Sequence, residues 1–169
     1  MFSRILALLI VGSFSLFLVR PANAAPTKEE VEVSKYSNML KVAKTPKDRI
    51  TALKELGRLG AIQVSLVRPL MPEIVKCLDN SDAKVRAEAA ITVGKCDPDK
   101  KEEIVKKLVK MLKDDKEEVV KHGAAEGLAA MGPDSKEAVP ALREEMKKAG
   151  KKGGRVYQNA LMSITGRKK

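Results

Sequence analysis

Apolar residues recur three and four positions apart along most of this chain, the spacing of one face of an α-helix. Ala89, Val93 and Cys96 make one such stripe. Ile104, Val105, Leu108, Met111 and Leu112 make another, while Lys106, Lys107, Lys110 and Lys113 point elsewhere. Strand-like alternation is confined to Val31-Glu32-Val33, which is too short to count. The stripes also repeat. Asp48–Gly57, Val85–Gly94, Val120–Ala129 and Val156–Thr165 align, with Ala52, Ala89, Ala124 and Ala160 in one column at spacings of 37, 35 and 36. Between them Met71-Pro72-Glu73-Ile74, Val105-Lys106-Lys107-Leu108 and Val139-Pro140-Ala141-Leu142 align at intervals of 34 and 34, which puts Leu78, Leu112 and Met146 in one column.

Each unit reads as two helices, A and B. The units fall at about 46–81, 82–115 and 116–150, with a terminal A-type helix over 154–166 and an N-terminal capping helix within 25–45. Thr45-Pro46-Lys47-Asp48 places a capping side chain, a Pro at the first helical position and an acid at the third. Asp82 is positioned to cap the second A helix, and Asp97-Pro98 to open the next B helix. Gly132-Pro133-Asp134, with Glu137 three residues on, stops one helix and starts another. Small residues in the alanine column, extended by Gly57 and Gly94, let neighbouring helices approach closely. No unit of this size buries its apolar face alone, so the units must stack. The expected fold is all-α: a short right-handed α-solenoid of stacked helical hairpins, about three repeats plus capping helices.

Val-Arg-x-x-Ala-Ala-x-x-Val-Gly at 85–94 and Ala-Val-Pro-Ala-Leu at 138–142 resemble HEAT repeats, most closely the short bacterial HEAT-like repeats of the phycobilisome-lyase type. The resemblance covers about 46–166. It implies a scaffold or protein-binding solenoid with B helices on the concave face. It also implies that the basic column of Arg49, Arg86 and Lys121 bridges adjacent repeats, with Tyr157 breaking the column in the last unit. Some members of that subgroup assist bilin attachment, but no motif here identifies such a site. Tetratricopeptide units have a similar period, yet their signature needs Trp and Phe, which the repeat region lacks.

The first residues carry an address. Met1–Arg4 is a basic n-region, Ile5–Val19 an uncharged run shorter than a membrane span usually needs, and Ala22-Asn23-Ala24 a signal-peptidase site. The reading is a cleaved leader over 1–24 and export to the periplasm or outside, with an uncleaved signal anchor as the alternative. Cleavage removes Arg4, Arg20 and no acid, so the formal charge falls from +11 to +9. It also removes all three Phe, so the core must be aliphatic.

Catalytic chemistry finds little footing. His122 is the sole histidine, with Glu118 and Glu126 one helical turn to either side; three or four protein ligands are the norm for a metal, and a solvated face with (i, i+4) pairs explains these three residues. Cys77 and Cys96 fall in core columns about 15 Å apart in a helical stack and read as free, buried thiols. Lys151-Lys152-Gly153-Gly154-Arg155 is basic and glycine-rich but lacks P-loop spacing, and reads as a flexible connector. No catalytic, metal or cofactor residue is assigned.

Basic residues carry the functional expectation. Lys76 and Lys110 share a B-helix column, Lys107 lies one position around, and Lys113 and Lys147 share the column a turn further along, interrupted by Glu73 and Glu144. These five lysines are the candidate contacts for another protein with acidic character. Two other readings are an accessory protein of lyase type handling a chromophore or cofactor, and a peripheral binder of anionic membrane surface. Nucleic acid is not expected, since an exported chain rarely meets it and stacking aromatics are absent.

Overall fold

A computed structural model describes residues 25–166, so the leader assigned to 1–24 lies outside the described residues. The elements are α1 (Lys28–Val42), α2 (Pro46–Ile62), α3 (Val64–Val67), α4 (Met71–Lys76), α5 (Ala83–Lys95), α6 (Lys101–Asp114), α7 (Glu118–Met131) and α8 (Val139–Thr165). Short 3₁₀ turns at Arg68–Leu70 and Cys77–Asp79 flank α4, and a longer 3₁₀ segment, Gly132–Ala138, leads into α8. There is no strand among the described residues. The chain is an all-α solenoid.

Caps set the helix starts where the sequence carries them. The Thr27 hydroxyl accepts from the Glu30 N–H, and the Glu30 carboxylate accepts from the Thr27 N–H, a reciprocal box that opens α1. Thr45 caps α2 through the Asp48 N–H, with Pro46 in the first turn. Asp82 accepts from the N–H groups of Lys84 and Val85 and so opens α5, as expected.

Other boundaries depart from expectation. Asp97-Pro98 does not open α6; it lies in a turn, and α6 starts at Lys101 with no side-chain cap. Asp97 has φ +44°, the left-handed conformation that follows a helix C-cap, so it terminates α5 instead. Its carboxylate pairs with Lys101 at 2.8 Å. Gly132, φ +59°, does stop α7, but Asp134 caps nothing, because its carboxylate pairs with Lys101 at 2.6 Å. The buried Ser135 hydroxyl, 2.7 Å from the carbonyls of both Leu128 and Gly132, holds this junction. The expected flexible connector at 151–155 is helical, and the chain turns at Gly150 alone, φ +62° and ψ −160°.

The core is aliphatic, as the composition requires. Leu53, Leu56, Ile74, Val93, Leu108, Leu112, Leu128 and Leu142 are fully buried, and Tyr157 is the largest buried side chain. The four column alanines, Ala52, Ala89, Ala124 and Ala160, are at most 1% exposed. The glycines beside them show how closely the A helices approach. A Cβ on Gly94 would stand 2.7 Å from Gly127 Cα, and a Cβ on Gly123 2.6 Å from Ala87 O. So α5 and α7 are in backbone contact, with α2 against α5 and the last arm of α8 against α7.

No such contact joins α4 to α6, and α6 lies closer to α7 than to α5. The tightest hairpins are therefore α1 with α2, α4 with α5, α6 with α7, and the two arms of α8, a phase shifted from the sequence units. The helices that close the stack are themselves arms of hairpins. A two-layer stack bends toward its more closely spaced layer. α2, α5 and α7 form the closely packed, inner layer, and α4, α6 and the first arm of α8 the more open, outer one. The resemblance places the B helices on the concave face; by packing, the A helices form the closer layer, because glycine and alanine draw them together while bulkier Leu, Met and Val hold the B helices apart.

Candidate interaction surface

The seam between α4 and α6 holds two cavities. Near the helix starts it forms a cavity of about 470 Å³ lined by Pro69, Met71, Pro72, Val75, Pro98 and Ile104, with Arg68 and Asp99 paired at its edge, 3.2 Å apart. Near the helix ends it widens to about 710 Å³ between Leu78, Asp79 and Asn80 on one side and Lys106, Lys107, Lys110 and Met111 on the other. The first is floored by prolines and aliphatic side chains with Arg68, Asp99, Lys100 and Glu103 around them; the second is lined mainly by lysines and aspartates.

The five candidate lysines all lie in the outer layer, from the middle of α6 at Lys107 to the helix ends at Lys76 and Lys113. Lys107 and Lys110 line the wider cavity; Lys76, Lys113 and Lys147 stand outside it. Lys107 is committed, donating to Asp79 across the seam at 2.6 Å. Lys76, Lys110, Lys113 and Lys147 are exposed and make no ion pair among the described residues. Lys113 lies near Glu144, which Lys148 holds below the ordinary carboxylate range through a hydrogen bond, with Lys113 adding to the pull. The aspartates of this surface, Asp79 at the end of a 3₁₀ turn, Asp114 at the end of α6 and Asp115 just beyond it, escaped the sequence reading; the partners of Asp79 and Asp115 lie on other elements.

The basic column does bind the stack together. The Arg86 guanidinium grips both Asp115 oxygens at 2.9 Å and donates to the carbonyls of Asn80 and Ser81. It thereby ties the turn before α5 to the turn before α7. Arg49 repeats the backward half of this contact on Ala43 O at 2.9 Å. Lys121 donates to the buried Glu145 at 3.0 Å, which Lys148 also reaches. Burial pushes the Asp115 and Glu145 carboxyls up, but hydrogen bonds to their basic partners win and hold both below the usual range. Tyr157 breaks the column in charge but not in position: its hydroxyl donates to Glu118 at 2.7 Å.

His122 is less solvated than expected. Its Nε2 lies 3.1 Å from a Glu118 oxygen, and its ring meets Tyr157 edge-on at 5.5 Å. The missed partner, Tyr157, is 35 residues away in sequence but follows from the column alignment. Among the described residues no group of His, Cys, Asp and Glu is placed to hold a metal ion. Both cysteines are free thiols; Cys96 is buried against Gly60, as expected, whereas Cys77, in the 3₁₀ turn after α4, is only half-buried, against the expectation of a buried thiol. Burial pushes the Cys96 thiol up to about 12.

The inner layer has a different character. Lys54, Lys95 and Glu126 surround the half-buried Glu88, whose carboxyl burial pushes up while the two lysines draw it down. Its charges alternate in sign. On the outer layer Lys76, Lys110, Lys113 and Lys147 lie within reach of one partner surface, with the acids Glu73 and Asp114 among them.

The family model for HEAT repeats matches residues 36–129 and, overlapping, 71–155. Comparison with characterised proteins finds no match. The matched regions cover well over half of the chain, and the chain belongs to the HEAT repeat family. Repeats of this family are commonly scaffolds for protein–protein interaction and typically non-catalytic.

Proposed function

We propose that this HEAT repeat protein is an exported, non-catalytic scaffold that docks a protein partner along the outer seam between α4 and α6. The observation that carries the reading is the pairing of an open seam with unspent charge. Apolar surface lies at one end of it, Lys110 lines the other, and Lys76, Lys113 and Lys147 stand on the same outer layer, all four without an ion pair among the described residues. A partner segment with acidic side chains meets these lysines, while its apolar residues fill the proline-lined half. Such complementarity speeds encounter and fixes register. Export rests on the basic, apolar and small-residue order of residues 1–24.

The test is affinity capture with the mature chain as bait, from envelope extract at low salt and again near 1 M salt. The second bait is the variant K76E/K110E/K147E, whose lysines make no internal ion pair and whose replacement leaves the stack intact. At 1 M salt the screening length shrinks to about 3 Å. A partner held at low salt by the wild-type bait and lost by the variant is the expected result. Equal capture by both baits removes the lysines from the account.

A further inference from the structure

Helix α8 folds back on itself at one residue. Gly150 has φ +62° and ψ −160°, a combination essentially reserved for glycine, and the chain is helical on both sides of it. The arm at 151–165 then lies against α7. It buries Tyr157, Ala160 and Ile164 there, and the Tyr157 hydroxyl donates to Glu118. The corner is as tight as glycine allows: a Cβ on Gly153 would stand 3.0 Å from Ala149 Cβ, and one on Gly154 3.4 Å from Met146 Cγ. No loop absorbs the turn.

The backbone angles of Gly150 are therefore what separates this corner from a continuous helix. In right-handed helical angles, Gly150 would let α8 run straight for 27 residues, about 40 Å, and would carry the second arm off α7. The face of α7 then uncovered fits one segment in every contact, the arm that has just left it. We propose that this face takes the 151–165 arm of a second copy of the chain, giving a domain-swapped dimer with Gly150 as its hinge. Short hinges of this kind favour exchange over opening. Charge opposes the straight form, because Lys147, Lys148, Lys151, Lys152 and Arg155 recur one turn apart in a continuous helix. Low salt therefore holds the bent monomer, and high salt releases the swap.

Gly150→Ala tests this directly. Alanine resists the positive φ of the corner and favours the helix, together about a hundredfold toward the straight form per hinge, or about 10⁴-fold for the two hinges of a dimer. Light scattering on the full chain should show wild type as a monomer at low salt and Gly150→Ala as a dimer that strengthens with salt. Adding Tyr157→Ala removes the anchor of the arm and should return the variant to monomer. A Gly150→Ala chain that stays monomeric across protein concentration and salt overturns the proposal. So does a dimer that survives Tyr157→Ala, because it then forms through another surface. Should Gly150→Ala not fold, wild-type chain refolded from urea decides: a dimer fraction trapped only at high protein concentration supports the swap, and monomer at every concentration rejects it.

Discussion

Replacing Gly94 with alanine probes the closest contact in the stack. The added Cβ would stand 2.7 Å from both Cα and C of Gly127, and closer still to its carbonyl oxygen. Carbon atoms prefer about 3.5–4.0 Å, so α5 and α7 must separate by about 1 Å. The obstacle is backbone, which cannot rotate away, so the overpacking cost falls near the top of the usual range, about 3 kcal/mol. Alanine returns about 1 kcal/mol in helix propensity, leaving a net loss of about 2 kcal/mol. In a chain of this size that lowers the thermal midpoint by about 6–8 °C. Circular dichroism at 222 nm reads it. Gly57→Ala is the control, since its Cβ meets a side-chain atom, Thr92 Oγ1, at 3.3 Å, and its midpoint should hardly move. A Gly94→Ala midpoint equal to wild type or above it would refute the backbone contact and, with it, the assignment of the inner layer.

Two further outcomes follow from buried groups. Arg86→Ala leaves Asp115, whose side chain is 13% exposed, without its partner, and should cost about 2–3 kcal/mol in urea unfolding. Because Asp115 is held below the ordinary carboxylate range, the pair stabilises fully at neutral pH and loses its contribution as pH falls below about 4, so the acid limb of stability should flatten in Arg86→Ala. Thiol titration of the native chain should find Cys96 inert and Cys77 slow, with both reacting freely in urea; a fast native reaction at Cys96 would contradict its burial.

Much of the fold was legible because it rests on local signals. The alanine column, the Thr45 and Asp82 caps and the leucine stripe of α6 each follow from side-chain size or hydrogen-bonding capacity at a fixed spacing. Asp97 and Asp134 misled because an acid before a proline or a helix reads as a cap, whereas here each serves Lys101 across a junction. The hinge misled for a similar reason: a run of glycine and lysine suggests a loop, and one glycine backbone angle suffices instead. Which layer is inner depends on distances between helices, and a periodic pattern does not carry distances. The lysine surface was visible in sequence as residues. The aspartates that neutralise part of it were not, since Asp79 meets Lys107 only across the seam.

The central claim is that a protein partner docks on the outer layer, and lysine footprinting tests it most directly. Acetylation rates would be compared at Lys76, Lys110, Lys113 and Lys147 on the outer layer and at Lys54 and Lys95 on the inner one, with and without the captured partner. The account predicts slowing at the outer lysines and unchanged rates at Lys54 and Lys95. Protection of Lys54 and Lys95 with the outer lysines unaffected would contradict it and move the docking surface to the inner face.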